Sequence, residues 1–324
     1  MPGRARRRLL EFWMLAGLAC YGGVVEASEP IVPGTGEKAE NIGDDFEDPE
    51  WSYAPGLPKS SKNIDGQTRL PAGRSNNNRW FESTYRGTPD LLKRVSTPEG
   101  GLLGSEGAMM MRTLYSGIPN QPDNQMQQDD LIGNTSSGIG GYVPVSWRPS
   151  VVVRVYLPPF DQWEKRTGTS FALRADCRGR KNRNDDLEAY WPGIFVQFMY
   201  NEPRKQPNAA LLVIRGRDSG HDFSGPMIKE PGWWTLGMSF SPDGYVHYYA
   251  HAGVEDLTSS DRIASHYPYY FKCERFQNFF FNVSNANNGH SWSTAWIIDD
   301  PAVYFASRPR ASVRAPAVRG RSSR

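Results

Sequence analysis

Two histidines stand four residues apart at His247 and His251, interleaved with Tyr245 and Tyr249. On a helix, that spacing would bring both imidazoles to one ion. Here they follow Ser241-Pro242-Asp243-Gly244, a turn signal in which glycine supplies the positive φ of a hairpin. The run YVHYYAHAG therefore reads as the returning strand, and four strand residues span ~13 Å, too far for a shared metal. The strand instead puts both histidines and both tyrosines on one face. Such a strip suits proton transfer or sugar binding, and it equally describes a half-exposed aromatic face. Carboxylates gather elsewhere. NIGDDFEDPEW (Asn41–Trp51) sets Asp44, Asp45, Glu47 and Asp48 around Phe46, and AWIIDDPAVYF (Ala295–Phe305) sets Asp299 and Asp300 in an apolar run.

Other chemistries find no motif. There is no Walker loop, no Gly-x-Ser-x-Gly elbow and no Cys-x-x-Cys, and Gly138-Ile139-Gly140-Gly141 lacks a strand–helix setting. Residues 1–27 have the layout of a secretory signal. Arg4, Arg6, Arg7 and Arg8 precede an apolar run that ends at Val25-Glu26-Ala27. That run falls short of the ~20 residues of a bilayer span, so no transmembrane span is expected. Cleavage before Cys20 for lipid anchoring has Gly17 where a large aliphatic is usual. Beyond the leader only Cys177 and Cys273 remain. In an exported chain they suggest one disulfide closing a long loop, worth ~4 kcal/mol, with two separate buried thiols as the alternative. The formal charge of +2 hides an uneven distribution. The leader carries a net +2 and the stretch 308–324 carries six arginines and no acid, which together leave the body between them at −6. An acidic body argues against nucleic acid as a partner. The Arg-rich tail, expected to be disordered, reads as a solvated end or as an electrostatic tether to anionic polymer.

The elements that would position these groups are strands. VVVRVYL (Val151–Leu157) is β-branched. TSFALRAD alternates, with Phe171, Leu173 and Ala175 on one face and Arg174 and Asp176 on the other. GIFVQFMY and AALLVIRGR are apolar on both faces, and GWWTLGMSF points Trp234, Leu236, Met238 and Phe240 inward. About ten to twelve short strands separated by turns predict an all-β sandwich of two packed antiparallel sheets with few or no helices. The expected organisation is a signal peptide over 1–27 and a polar linker over 28–43. A β-sandwich domain follows over 44–307, and the tail over 308–324. Residues 55–78 read as a polar insertion.

Gly43-Asp44-Asp45-Phe46-Glu47 followed by Trp51 resembles the opening strand of extracellular jelly-roll carbohydrate-binding modules, and Trp296–Tyr304 resembles their closing strand with its Asp-Asp. The WWTLGMSF-SPDG-YVHYYAHAG hairpin is similar to one in the concanavalin A-like lectin and glucanase superfamily. The resemblance covers about a fifth of the chain and implies a jelly roll whose first and last strands are neighbours. It also implies a structural calcium, a hard ion taking oxygen ligands, at Glu47 and Asp299 with Asp45 or Asp300 assisting. Pro301 departs from the apolar residue usual after the acids and suggests a bulge or edge. The alternative is a set of solvated acids.

The Glu-x-Asp-x-x-Glu array of retaining glucanases on this fold is absent. Tyr270-Phe271-Lys272 with Phe276-Gln277, and Phe195-Val196-Gln197-Phe198, faintly resemble strands of alginate-lyase-type jelly rolls. The histidine expected two residues after Gln197 is Met199, so His247 or Tyr249 would have to supply the base, with Arg154 or Arg174 neutralising the uronate. Trp233, Tyr245, Tyr249 and Tyr269 are the candidates for a glycan platform, because sugar C–H faces stack on aromatic planes. The reading is an exported or cell-envelope jelly roll that binds a polysaccharide or cell-surface glycan without catalysis. A polysaccharide lyase or hydrolase is the alternative.

Overall fold

The computed structural model describes residues 29–118, 120–216 and 222–309. The signal segment 1–27 and most of the arginine-rich tail lie outside them. Alternating strands bury one face each and build two antiparallel sheets, so the chain is an all-β jelly-roll sandwich. The first sheet runs in the order Arg262–His266, Val246–Ala252, Gly232–Phe240, Pro149–Leu157, Trp296–Phe305, Gly107–Arg112, Leu91–Ser96. The second runs Phe223–Ile228, Ala209–Ile214, Gly193–Met199, Gly168–Arg180, Lys272–Asn285, Gln127–Gly133, Trp80–Glu82, with two short strands beyond. Among the described residues the α-helices are two short ones, Lys62–Asp65 and Thr135–Ile139.

The expected neighbouring of the two ends holds. Glu37–Gly43, which falls inside the segment read as a linker, is itself a strand and pairs antiparallel with Trp296–Phe305. Gly43 has φ 80°, and a Cβ there would overlap the Pro301 carbonyl oxygen, so the two chains meet as closely as glycine allows. Phe46 is fully buried, but it is not on a strand. It sits at φ 56° in an irregular turn, so the period of two expected around it does not apply. Its ring lies 5.4 Å from Trp51 and 5.9 Å from Trp80.

Period two decides which side chains fill the sandwich. Val151, Val153 and Val155 face inward from the first sheet, and Phe171, Leu173 and Ala175 from the second. Phe279 and Phe281 join Trp80, while Trp296 packs on Trp163 at 4.8 Å and Phe171 at 5.0 Å. Cys177 and Cys273 both lie in this core as free thiols, so the expected disulfide gives way to the alternative of two buried thiols. The polar insertion is organised by one buried carboxylate. Glu82 accepts the backbone N–H groups of Ser60, Ala72 and Gly73 at 2.6, 3.0 and 3.2 Å.

Candidate functional site on the outer face of the second sheet

The outer face of the first sheet is covered. Ser239 Oγ donates to Ile31 O at 2.6 Å and Gly34 N to Ser150 Oγ at 3.3 Å, drawing the segment before the first strand across the sheet. Val32 packs there with Val152, Tyr249 and Leu257. Arg154 is 5% exposed; its Nε donates to Val254 O at 3.1 Å, and its guanidinium pairs with Asp256 at 2.6 Å and Asp300 at 3.7 Å. His247 is held between Ser265 Oγ at 2.8 Å and Ser241 Oγ at 3.0 Å, and burial pushes its pKa down to about 4. It is a neutral, enclosed imidazole at neutral pH. His251 contacts Asp261 at 3.0 Å.

The glycan platform read from the sequence divides in the same way. Trp233 is 6% exposed and its indole N–H meets the carbonyls of Pro98 and Glu99 at 3.4 and 3.2 Å. Tyr249 is buried, and Tyr245 lies half-buried with its ring 4.0 Å from Tyr267. Arg174 and Gln197 are on the outer face of the second sheet, across the sandwich from Arg154, His247 and Tyr249. The five residues named for a lyase groove therefore do not converge. Even Arg174 and Gln197 are apart, because Gln197 pairs with Thr169, about 17 Å along the strand from Arg174.

The four carboxylates named for calcium each have partners within the protein. Glu47 accepts the backbone N–H groups of Glu106 and Gly107 at 3.1 and 3.3 Å, and Asp45 accepts Glu47 N at 3.3 Å. Asp299 accepts Ser105 Oγ at 2.9 Å, and burial pushes its pKa up to about 6. Asp300, at φ 43° in a bulge, turns instead to Lys38 at 3.1 Å and to Arg154. Among the described residues, no group of three or more His, Cys, Asp or Glu side chains could hold a metal ion.

The second sheet's outer face is open and forms a cleft of about 530 Å³. Its floor comes from alternate residues of three adjacent strands: Asp130, then Arg174, Asp176 and Arg178, then Asn278 and Phe280. Tyr85, Arg86 and Trp191 rise from loops at its sides. Arg174 is fixed on four sides. Its Nη2 donates to Trp191 O at 2.8 Å and its Nη1 to Asn282 Oδ1 at 3.4 Å. The rings of Phe195 and Phe280 both lie 5.3 Å from its guanidinium carbon, a stacking geometry that suits arginine better than lysine. Burial brings its pKa down to about 10, which leaves it charged at neutral pH.

Asn282 Nδ2 donates to Asp130 Oδ1, linking the arginine to a carboxylate only 6% exposed. Burial pushes Asp130 up to about 6, against the pull of Arg86 and Arg174. Asp176 is raised to about 6 by the same cause, against Arg178 and Arg174. Three polar atoms of this cleft are buried without a hydrogen-bond partner in the protein: Nε of Arg174, Nε of Arg178 and Oε1 of Gln277. Unpaired buried polar atoms cost about 1–3 kcal/mol each, so they mark places where something else bonds. Tyr85 and Trp191, 43% and 36% exposed, lie edge to face with centroids 6.4 Å apart. Tyr269 stands near this site too, half-buried, its ring 6.4 Å from Tyr190.

Of the residues named in the sequence as catalytic, glycan-binding or metal candidates, Arg174 lines the cleft, beside Asp176 of the same outward face and Gln277. Arg86, Arg178, Asp130, Tyr85 and Trp191 were not found. Alternation in QQDDLIG would have separated an inward Asp129 from an outward Asp130, whereas the loop residues carry no periodic signal.

No family model matches the sequence, and no curated protein sequence matches it. Solved structures similar to it include an alginate lyase of Pseudomonas aeruginosa, with TM-score 0.40 and 11% identity over 67% of this chain and 86% of that one. An endo-β-1,4-glucuronan lyase of the fungus Trichoderma reesei gives 0.34 and 13% over 78% and 94%. The mannohexaose-bound module CBM27-1 of Caldicellulosiruptor saccharolyticus gives 0.31 and 12% over 80% and 92%. Likeness of this order carries no residue role across.

Proposed function

We propose that the protein is an exported, non-catalytic glycan-binding β-sandwich, and that it holds an acidic polysaccharide in the cleft of the second sheet. The observation that carries this reading is the pairing of Arg86, Arg174 and Arg178 with two open aromatic rings, Tyr85 and Trp191, on one rigid sheet face. Guanidinium groups bond carboxylates through parallel N–H donors, which suits arginine to an acidic sugar. Aromatic planes at the rim take the C–H faces of sugar rings. Across the centre of the first sheet, the described residues Ile31–Gly34 cover the corresponding outer face. Isothermal titration with a polyuronate tests the reading: wild type binds, and Arg174→Ala or Trp191→Ala weakens binding without lowering the melting temperature to match. A polyuronate that is neither bound nor retarded in a gel would overturn it.

A lyase reading draws on a different feature, the Asp130 carboxylate linked through Asn282 to Arg174. An ionised Asp130 could take a proton from a sugar whose acid group Arg174 neutralises. Absorbance of unsaturated uronate products separates the two readings. Its appearance, and its loss in Asp130→Asn, would replace binding with catalysis.

A further inference from the structure

The cleft is not the end of the cationic surface. The strand Gly168–Arg180 keeps its alternation to its last residue, so Arg174, Asp176, Arg178 and Arg180 share the outer face. Arg178 lines the cleft, and Arg180, two residues on, lines a second hollow of about 690 Å³ at the end of the sandwich. The register sharpens this. Arg178 lies opposite Arg275 on the neighbouring strand, and Arg180 lies opposite Lys272. Like charges directly opposite one another in a sheet are destabilising, and here two such pairs come in succession.

The protein offsets them only in part. Glu274 takes Arg180 at 2.9 Å, and the Tyr142 ring lies 5.9 Å from the guanidinium carbons of both Arg178 and Arg275. Lys272 has its ammonium 5.6 Å over the Tyr267 ring. Seven Lys and Arg line the two hollows against four Asp and Glu: Asp130 and Asp176 in the cleft, Asp243 and Glu274 at the end. A local cationic surplus retained against its own repulsion on an acidic body is the footprint of an anionic partner.

Resting on the acidic-glycan reading above, we infer that the ligand is an extended polyuronate whose chain leaves the cleft along the Gly168–Arg180 strand and enters the end hollow at Arg180, Arg183 and Lys272. From Arg174 to Arg180 the strand rises about 20 Å. A short oligomer can occupy the cleft alone, whereas a long one reaches both hollows, and the second set of contacts then forms without a second loss of translational freedom.

Titration calorimetry with uronate oligomers of increasing length tests this. Affinity is expected to rise by about tenfold or more between a disaccharide and an oligomer long enough to span both hollows. Arg183 and Lys272 are exposed, and Lys272→Glu relieves the repulsion with Arg180, so the variant Arg183→Glu/Lys272→Glu should fold normally, with a melting temperature no lower than wild type. It should lose the length gain while binding the disaccharide as wild type does. Equal affinity of wild type for short and long oligomers, or equal weakening of both by the double variant, would overturn the second hollow and leave the cleft reading standing. Failure of every oligomer to bind wild type would overturn both.

Discussion

Trp51 and Trp80 donate their indole N–H groups to the same atom, Oδ2 of Asp44, each over 3.1 Å. Asn77 Nδ2 reaches that oxygen at 2.7 Å, and Arg79 approaches the other from 3.9 Å. This is the structural use of the first acidic cluster: one carboxylate is buried to anchor two large rings beside Phe46. Asp44→Ala would remove the acceptor of four donors, the two indoles, the Asn77 amide and the Phe46 backbone N–H. We expect a loss of about 3 kcal/mol in urea unfolding, with Asp44→Asn losing less because it retains an acceptor oxygen. An Asp44→Ala protein as stable as wild type would show that the cluster anchors nothing.

Lys59 makes a second buried anchor. It is 2% exposed, with Nζ 2.7 Å from Asp129, 2.8 Å from Asp90 and 2.8 Å from the Tyr115 carbonyl. Burial alone would depress its pKa; the two carboxylates outweigh that and hold it above its ordinary value. Lys59→Met should cost about 3–5 kcal/mol, because it leaves Asp129 buried without a counter-charge. Adding Asp129→Asn to that variant should recover part of the loss, measured in the same denaturant titration.

The sandwich was legible because its strands alternate. Val151–Leu157, Thr169–Asp176 and Gly232–Phe240 each declare an inner face, and the turn at Asp243-Gly244 declares a hairpin. Faces are a local property, so Arg174 and Asp176 were assigned together correctly. Which sheet each strand joins is not local. Arg154 and Arg174 were named together as arginines that could neutralise a uronate, and only the pairing of their strands sets them on opposite sides of the molecule. Coverage is hidden as well: Trp233 and Tyr249 are exposed by alternation and buried by segments far from them in sequence. The cleft residues Tyr85, Arg86 and Trp191 belong to loops, where spacing says nothing about neighbours.

The carboxylates read as a calcium site supply another test. Glu47, Asp45 and Asp299 already accept N–H or O–H donors, and Asp300 is paired with Lys38 and Arg154. A calcium ion takes six to eight oxygens about one point, and it would have to displace these donors. Chelation with EDTA should leave the melting temperature unchanged. A fall on chelation that calcium restores, and that Asp299→Ala removes, would reinstate the ion.

Within the cleft, charge and ring should be separable. Arg174→Ala should reduce polyuronate affinity by about tenfold or more, since a desolvated, clamped arginine is where binding energy concentrates. Trp191→Ala should reduce it by about fivefold and should weaken a neutral polymer of the same linkage by a similar factor. Raising the salt concentration should mimic the arginine change and spare the aromatic one, because screening acts on charge. A Trp191→Ala effect confined to the charged polymer would contradict the platform role.

The two cleft carboxylates set the direction of pH dependence. Asp130 faces Arg86 from the loop, Arg174 from the adjoining chain and the Asn282 amide, while Asp176 faces Arg174 and Arg178 on its own strand and Asn278 opposite. Burial raises both to about 6, so both are mostly ionised at pH 7 and mostly protonated at pH 5. Arg174, at about 10, stays charged throughout, and a solvated uronate, with a carboxyl at about 4, stays largely ionised. Lowering pH from 7 to 5 therefore removes repulsion and should strengthen binding, by about three- to tenfold. Stability follows the same sign: each carboxyl is raised above its unfolded value of about 4, so its charging destabilises the fold as pH climbs from about 4 to about 6. Asp130→Asn/Asp176→Asn should flatten the binding profile between pH 5 and 7. Affinity that falls on acidification in wild type would show that these carboxylates aid the ligand, as a base or hydrogen-bond acceptor, and would favour the lyase reading.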